Sequence, residues 1–539
     1  MPESEEGADS GDGEGMNERE TVVSVNPATG EVNDEVEAAT PEEVDEAVES
    51  ARRAQESWAS RSVNDRLRVL DVFQDHLIRR RDEVARTIAA ETGKPVGEGL
   101  VTDLIPVIDA IRFLKKRGPE VMESELDLDN IMVMDRKSKM VREPLGVLGM
   151  ITPWNYPFGI PGSQVVYALF AGNAVVLKPA RETTLTGLKI QELLEDAGLP
   201  EDLLHVVPGG GSTVGQAIVE SDIDQMTFTG SNAVGEMIQE RCVERGVPTT
   251  MELGGSDPAV VLEDANIDKA TSGIVWSRFM NCGQTCAAVK RAYAHDSVFD
   301  EFCDEVVRKV GKLRVGNGAE ENVDVGPLID EGAVDELERQ VDESVEMGAE
   351  VLVGGERLDR EGSFYAPTVL GNVTHDMPVV REETFGPVLP VMSFEDVGEG
   401  IEKANDTRFG LTASVWTRDT DRGERVARQI DAGTVVINDH GYTYGVNETP
   451  WGGYKDSGHG RTHGVWGIEE VTRLKHINKG SADTVPRSLR PETTWWFPYS
   501  DDYLDTMGDG IEFLYGNGVV KRATKAPKML KELLGKKGL

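Results

Sequence analysis

Between Met150 and Gly255 the sequence alternates short β-branched runs with segments of helix length, and this alternation restricts the fold more than any other feature. Ala174–Leu177 reads as an apolar strand, followed by a helix from about Thr184 to Ala197 that is closed by Gly198-Leu199-Pro200. Leu204–Val207 reads as the next strand and ends in Pro208-Gly209-Gly210-Gly211. Helix Ser212–Glu220, strand Gln225–Thr229, helix Asn232–Glu244 and strand Thr249–Leu253 complete the series. Strands alternating with helices of this length mark a parallel, doubly wound sheet. Ligands of such sheets bind beyond the carboxyl ends of the strands, where helix N-termini gather. A second alternating region runs from Ala259 to about Val436 and predicts another α/β domain.

The segments outside this series differ in character. At 539 residues the chain has room for two to four domains of roughly 100–200 residues and for a large core. Residues 1–20 hold eight acids, one arginine and no aromatic residue, so they read as a disordered acidic leader, with order beginning near Val22. Pro41–Ala59 has helical spacing, with Val44, Ala47, Val48, Ala51 and Ala54 on one face. A second long helix is expected from about Val63 to Glu91, stopped by Thr92-Gly93-Lys94-Pro95. Leu126–Val141 alternates apolar and charged residues and reads as a hairpin outside both cores. Near the end, Trp495-Trp496-Phe497 is aromatic, and Lys521–Leu539 carries seven basic residues and one acid. That tail could lie on a membrane surface, but packing against the acidic body or a neighbouring subunit is the expectation.

Ninety-six acidic residues against 56 basic ones give a formal net charge of −40. Such a chain repels nucleic acid and anionic lipid, so no nucleic-acid partner is expected. The same charge keeps a surface hydrated in concentrated salt and points to a salt-adapted cytoplasm. No apolar run reaches about 18 residues, so no transmembrane helix is expected, and the acidic N-terminus does not read as a secretory signal. Cys242, Cys282, Cys286 and Cys303 are too few for a disulfide framework and read as reduced thiols of a cytoplasmic protein.

Two of those cysteines share the segment Asn281-Cys282-Gly283-Gln284-Thr285-Cys286, which follows a helical stretch from about Lys269. Cysteines four apart could hold zinc. With no second cysteine pair, and with His295 lacking a partner at ligand spacing, no metal site is predicted. The commonest fate of a free cysteine is burial as a small apolar residue. Two further segments shift that balance. Met251-Glu252-Leu253-Gly254-Gly255 puts a lone carboxylate at a strand end, and Pro153-Trp154-Asn155-Tyr156-Pro157 puts a side-chain amide between two prolines. A thiol nucleophile, a carboxylate base and an amide donor form a working set for acyl-enzyme chemistry.

These segments, together with Gly172–Pro179, Phe228-Thr229-Gly230-Ser231, Gly283–Cys286, Glu382–Val388 and Trp451–Gly460, resemble the NAD(P)-dependent aldehyde dehydrogenase superfamily, in the family's order across roughly residues 20–480. The resemblance implies an α/β fold: a Rossmann-type doubly wound dinucleotide-binding domain (21–125 and 142–253), an α/β catalytic domain (254–469) and a small oligomerisation segment (126–141 and 470–495). Residues 496–539 form an extension, and a homodimer or homotetramer is implied. By the same resemblance Cys286 is the nucleophile. A free thiol has a pKa near about 8.5, so it needs help to be a thiolate at neutrality. Asn155 matches the donor to the oxyanion, beside the backbone N–H of Cys286. Glu252 matches the base that activates water against the thioester.

The resemblance also implies a cofactor site for NAD or NADP. Gly230 and Ser231 open a helix after a strand, through Gly235, so that backbone amides face the pyrophosphate without the common G-x-G-x-x-G fingerprint. Lys178 matches the lysine at the adenosine ribose, and Glu383 the carboxylate at the nicotinamide ribose, with Phe385 beside it. Ile151, Pro153, Trp154, Phe228, Thr229 and Leu253 line the same cleft. Three residues after Lys178, where many NAD-preferring relatives carry glutamate, this chain has Arg181. A guanidinium there removes repulsion and supplies a phosphate partner, so NADP is expected to be accepted.

Tyr156, Phe279, Met280, Tyr442 and Tyr444 predict a pocket for an apolar or aromatic small-molecule aldehyde. The pattern is similar also to succinate-semialdehyde dehydrogenases, which often carry an arginine six residues before the nucleophile. That position here is Met280, with Arg278 two residues further back. A CoA-acylating relative and an inactive binding protein are the remaining readings, against which Cys286, Asn155 and Glu252 are all retained.

Overall fold

A computed structural model describes residues 19–127 and 136–480, with a few positions between 504 and 516. The leader up to residue 18, the tip of the expected hairpin, segment 481–503 with its aromatic triplet, and the basic tail from 517 lie outside the described residues. The chain divides into two compact units, residues 1–124 with 141–475, and residues 125–140 with 476–539.

The larger unit is built on two sheets. The first has six strands in the order Gly458–His459, Thr249–Glu252, Gln225–Thr229, Val147–Ile151, Ala174–Lys178 and Leu204–Val206. All its neighbours are parallel except the first pair. Leu148, Val175, Val176 and Leu177 are fully buried, as expected of strands covered on both faces. Each such side chain contributes about 1.5–3 kcal/mol. From Val147–Ile151 the chain winds outward through Ala174–Lys178 to Leu204–Val206, then returns to lay Gln225–Thr229 on the other side. A crevice therefore opens above Ile151 and Phe228, which pair across the two central strands.

The second sheet has seven strands, Glu350–Val353, Thr368–Gly371, Val388–Phe394, Val289–His295, Asp257–Val261, Thr412–Trp416 and Thr434–Ile437 in that order. Only the first pair is antiparallel. Its core, with Val260, Tyr293, Phe302, Tyr365 and Trp416, is separate from that of the first sheet.

Before the first sheet, helix Pro41–Ala59 starts at a reciprocal cap in which Thr40 and Glu43 each bond the other's backbone N–H. The single long helix expected over 63–91 is two helices, Val63–Arg79 and Arg81–Thr92. The chain leaves helical geometry at Arg80 (φ −100°, ψ 14°), whose guanidinium reaches Glu83, Glu192 and Asp196. An ionic clamp to a later helix fixes the break, which local periodicity does not encode. Gly93 then ends the second helix in the left-handed region (φ +70°), where a Cβ would lie 2.3 Å from Pro327 Cγ. Strands Thr472–Gly480, Arg136–Pro144 and Glu123–Leu126 form a three-stranded sheet, with Leu474 and Ile477 exposed on its edge strand.

Candidate active site

Glu252 ends its strand beside Thr229, its partner on the neighbouring strand. Cys286 comes from the other sheet's half of the chain, on the loop between helix Ile267–Phe279 and strand Val289–His295. Both line one cavity of about 270 Å³, together with Thr229 and Leu253. Burial pushes the Glu252 carboxyl up to about 8, against the opposing pull of Arg461 and the Thr462 hydroxyl. Thr462 donates to Glu252 Oε1 across 3.5 Å, while among the described residues Oε2 has no hydrogen-bond donor within reach. Burial likewise pushes the Cys286 thiol up to about 12, with Lys290 pulling it down.

The loop carrying Cys286 is held in an uncommon conformation. Asn281, Cys282 and Gly283 all have positive φ (48°, 54° and 74°), and a Cβ on Gly283 would lie 2.3 Å from the Gly386 carbonyl oxygen. Left-handed geometry at a non-glycine residue persists only where surrounding contacts impose it. Here Glu98 accepts from the Asn281 backbone N–H at 2.9 Å, and Asn281 Nδ2 donates to the Asn155 carbonyl at 2.9 Å. Gln284 Oε1 accepts from Ile329 N at 2.8 Å. Cys282 is fully buried within this framework and faces the core, not the cavity.

Asn155 is buried, and its Nδ2 donates to the Gln284 carbonyl at 3.0 Å, two residues from Cys286. One of its two amide hydrogens is therefore engaged by that loop, and the side chain does not line the cavity wall. Its carbonyl accepts from Lys94 Nζ at 2.7 Å, and Lys94 pairs with buried Asp103 at 3.0 Å.

On the other flank, Lys290 gathers three acceptors: Glu383 Oε1 at 2.6 Å, the Gly255 carbonyl at 2.6 Å and the Cys286 carbonyl at 3.0 Å. Glu383 also accepts from Gly255 N at 3.0 Å. A Cβ on Gly254 would lie 2.2 Å from Glu383 Oε2, so that close approach needs glycine. Phe385 meets Trp154 edge to face at 5.6 Å. The residues expected at the cofactor's nicotinamide end thus gather at Lys290, which is bonded to the Cys286 carbonyl and lies 5.4 Å from the centre of the Phe385 ring.

The other residues expected at the cofactor follow the crevice. Ser231 caps helix Asn232–Arg245 without a side-chain bond to it, and the first-turn amides of a helix have no intrahelical partner. Gly230 and Gly235 are packed so tightly on Phe228 and Leu253 that a Cβ would come within 2.6 and 2.5 Å. Ile151 and Lys178 pair on adjacent strands, and Pro153 follows in the loop beyond. Lys178 Nζ is buried and, among the described residues, donates one hydrogen bond, to Pro179 O at 3.1 Å; burial lowers it to about 8. Two donors remain on that ammonium, which fits a ribose diol. Arg181 is exposed, 3.7 Å from Glu20.

The expected substrate residues divide. Tyr156, Met280, Tyr442 and Tyr444 line the cavity, whereas Phe279 is packed into the second sheet's core. Arg278 does not reach the cavity either: it is fully buried and donates to the carbonyls of Val388, Thr384 and Gly386. Sequence reasoning missed Lys290, Lys94 and the wall formed by Val101, Thr102, Ile105 and Pro106 at the widened helical turn Gly99–Leu104. A lysine four residues after Cys286 was the one available signal.

The sequence model of the aldehyde dehydrogenase family matches residues 15–477. The chain is 36% identical over 465 residues to the mitochondrial succinate-semialdehyde dehydrogenase of rice, covering 86% of each protein. It superposes on the NAD+ complex of a Bacillus cereus aldehyde dehydrogenase with a TM-score of 0.82 at 34% identity, covering 86% of this chain and 93% of that one. An E. coli NADP-dependent enzyme gives a TM-score of 0.80 at 33% identity, over 86% and 95% of the two chains. The chain belongs to the aldehyde dehydrogenase family and is an aldehyde oxidoreductase that uses NAD+ or NADP+.

Proposed function

We propose that this enzyme oxidises an apolar or aromatic aldehyde to its carboxylic acid through a covalent intermediate on Cys286. The observation that carries the reading is that Cys286 and Glu252 open into one cavity whose wall is aromatic and aliphatic. The Cys286 thiolate adds to the aldehyde carbon, and Lys290, bonded to the carbonyl of the same residue, favours that thiolate. The free amide hydrogen of Asn155 and the backbone N–H of Cys286 are the donors for the resulting oxyanion. NAD(P)+ in the crevice would supply the hydride acceptor needed to turn the Cys286 adduct into a thioester; Lys178 and the Ser231 helix terminus would hold its adenosine and pyrophosphate, and Glu383 its second ribose. Glu252 then removes a proton from water as that water attacks the thioester, releasing the acid and restoring the thiol.

The wall argues the substrate class. Trp276, Tyr442, Val101 and Ile105 surround the cavity and are 47% or more exposed, an apolar mouth on a strongly acidic protein. Among the described residues its lining holds no lysine, arginine or histidine, and Glu252 is its acidic side chain. A substrate carboxylate would lie there unpaired, at a cost of several kcal/mol. Succinic semialdehyde is therefore the second reading, supported by the rice relative and opposed by the buried position of Arg278. Cofactor reduction followed by absorbance, in high salt, with hexanal, benzaldehyde and succinic semialdehyde tests the choice. The expected result is kcat/KM at least about 100-fold higher for the uncharged aldehydes; a preference for succinic semialdehyde refutes it. A Cys286→Ala protein is expected to reduce no cofactor.

Exposed Leu474 and Ile477 on an edge strand support assembly into a homodimer or homotetramer, and the charge supports a salt-adapted cytoplasm. Among the described residues no helix is long and apolar enough to cross a membrane.

A further inference from the structure

The break Thr92-Gly93-Lys94-Pro95, read from the sequence only as a helix stop, carries a cation that the chemistry above does not use. Lys94 and Asp103 form an ion pair at 3.0 Å with both side chains fully buried. Such a pair contributes little net stability, because taking two charges out of water costs about as much as their attraction returns. Its contacts converge instead on one stretch, residues 155–159. Lys94 Nζ donates to the Asn155 carbonyl at 2.7 Å and lies 4.3 Å from the centre of the Tyr156 ring. Asp103 Oδ1 accepts from the Phe158 and Gly159 backbone N–H groups at 3.2 and 3.0 Å. One ion pair therefore brackets the stretch at both ends. From the nucleophile's side, Asn281 Nδ2 also donates to the Asn155 carbonyl at 2.9 Å, and the Tyr156 hydroxyl meets Thr285 Oγ1 at 2.6 Å. The Asn155 side chain itself is held more loosely. Its Nδ2 donates to the Gln284 carbonyl, while among the described residues its buried Oδ1 has no donor. The torsion that turns an asparagine amide is soft, so the aim of this one depends on the backbone beneath it.

We propose that the buried Lys94–Asp103 pair is the positioning device of the oxyanion site, holding the Asn155 peptide so that the free amide hydrogen of Asn155 meets the oxygen of the Cys286 adduct. The inference rests on the reading of Asn155 as an oxyanion donor. When the thiolate adds, the carbonyl's π electrons move onto its oxygen, and a donor stabilises that charge only if it is already aimed there. A displacement of an ångström forfeits much of the effect. Neither Lys94 nor Asp103 lines the cavity, so both are positioning residues that act through Asn155. Nor does Lys94 act on the thiol, whose charged neighbours are Lys290, Glu383, Asp257 and Glu252. The pair thus bears on steps that build an oxyanion and leaves the reactivity of the thiolate itself alone.

The test compares two reactions of Cys286 in the full-length protein without cofactor. Acylation by p-nitrophenyl acetate, read as the rate of the p-nitrophenolate burst, passes through an oxyanion. Alkylation by iodoacetamide at pH 8, read as loss of that burst, does not. Replacing Lys94→Met and Asp103→Asn together strands no charge, and the new asparagine still accepts from Phe158 and Gly159. This double variant is expected to acylate about tenfold more slowly, less than the roughly 100-fold loss expected of Asn155→Ala, and to be alkylated within about twofold of the wild-type rate. Asp103→Asn alone is the milder change, with acylation expected to slow about threefold, and it decides the matter where the double variant does not fold. Combined with Asn155→Ala, the double replacement is expected to slow acylation no further, because the side chain it aims is gone. Wild-type acylation in the double variant overturns the proposal, as does an equal slowing of alkylation or a further tenfold loss in the Asn155→Ala background. In each of those cases a slow Asn155→Ala protein leaves the donor in place. An Asn155→Ala protein that acylates at the wild-type rate overturns the donor, and its positioning with it.

Discussion

Replacing Glu252 by glutamine removes one titration and changes nothing else of size, so its consequences can be worked from the carboxyl's position. Burial holds that carboxyl near about 8, against an ordinary value of 4.5. About a tenth of it is ionised at pH 7 and about nine-tenths at pH 9, so turnover limited by deacylation rises about tenfold between them. The same shift acts on stability with a definite sign. Between pH 4.5 and 8 the folded protein keeps a proton that the unfolded chain has released, so stability falls as pH rises, by about 1.4 kcal/mol per pH unit. Over the interval this amounts to about 5 kcal/mol relative to Glu252→Gln, with no further change above 8. Denaturant unfolding of both proteins at pH 5 and pH 9, read by tryptophan fluorescence, measures it. The variant is expected to gain on the wild type at the higher pH while losing steady-state activity. A stability difference that is the same at both pH values would refute the burial argument. So would a wild-type rate that is flat from pH 7 to 9 while the acyl-enzyme accumulates.

Lys290→Met removes the cation from the Cys286 carbonyl and from Glu383; thiol alkylation by iodoacetamide at pH 8 is expected to slow about tenfold and the KM for cofactor to rise. Arg181→Ala is expected to raise the KM for NADP+ by about tenfold and leave that for NAD+ unchanged, since only the former carries a 2′-phosphate for a guanidinium to meet. Equal effects on both cofactors would show that Arg181 serves Glu20 alone. Gly93→Ala puts a methyl group 2.3 Å from Pro327 Cγ at φ +70°, and a loss of about 1–3 kcal/mol is expected in chemical denaturation. At a net charge of −40, raising KCl from about 0.1 M to 1 M shortens the screening length from about 10 to 3 Å, and the melting temperature is expected to rise.

Four of the first sheet's six strands are readable to within a residue as short runs bounded by glycine, proline or a helix start, whereas Val147–Ile151 and Gly458–His459 are not among the expected strands. The strand expected over Gln225–Thr229 has those same ends, and Thr249–Leu253 stops one residue earlier, at Glu252. Where a feature depends on a distant partner, periodicity is silent. The break at Arg80 is set by Glu192 and Asp196, more than 100 residues away in sequence. Phe279 and Trp276 lie on one helix, both large and aromatic; only the tertiary packing sends Phe279 to the core and Trp276 to the cavity mouth. Arg278 sits near Cys286 in sequence, yet its guanidinium is spent on the carbonyls of Val388, Thr384 and Gly386. Lys290 reads as an ordinary strand residue until Glu383, 93 positions later, is folded against it.

The meeting of Lys290 with Glu383 also bears on how such an enzyme can change over generations. One almost fully buried ammonium (1% exposed) answers a carboxylate and two peptide oxygens drawn from three separate stretches of chain. Losing the carboxylate alone strands a cation, and losing the cation alone strands an anion, each at about 3 kcal/mol. The two positions are thereby inherited as a pair. A lineage that dispenses with one is expected to dispense with the other, and a double replacement to be milder than either single one.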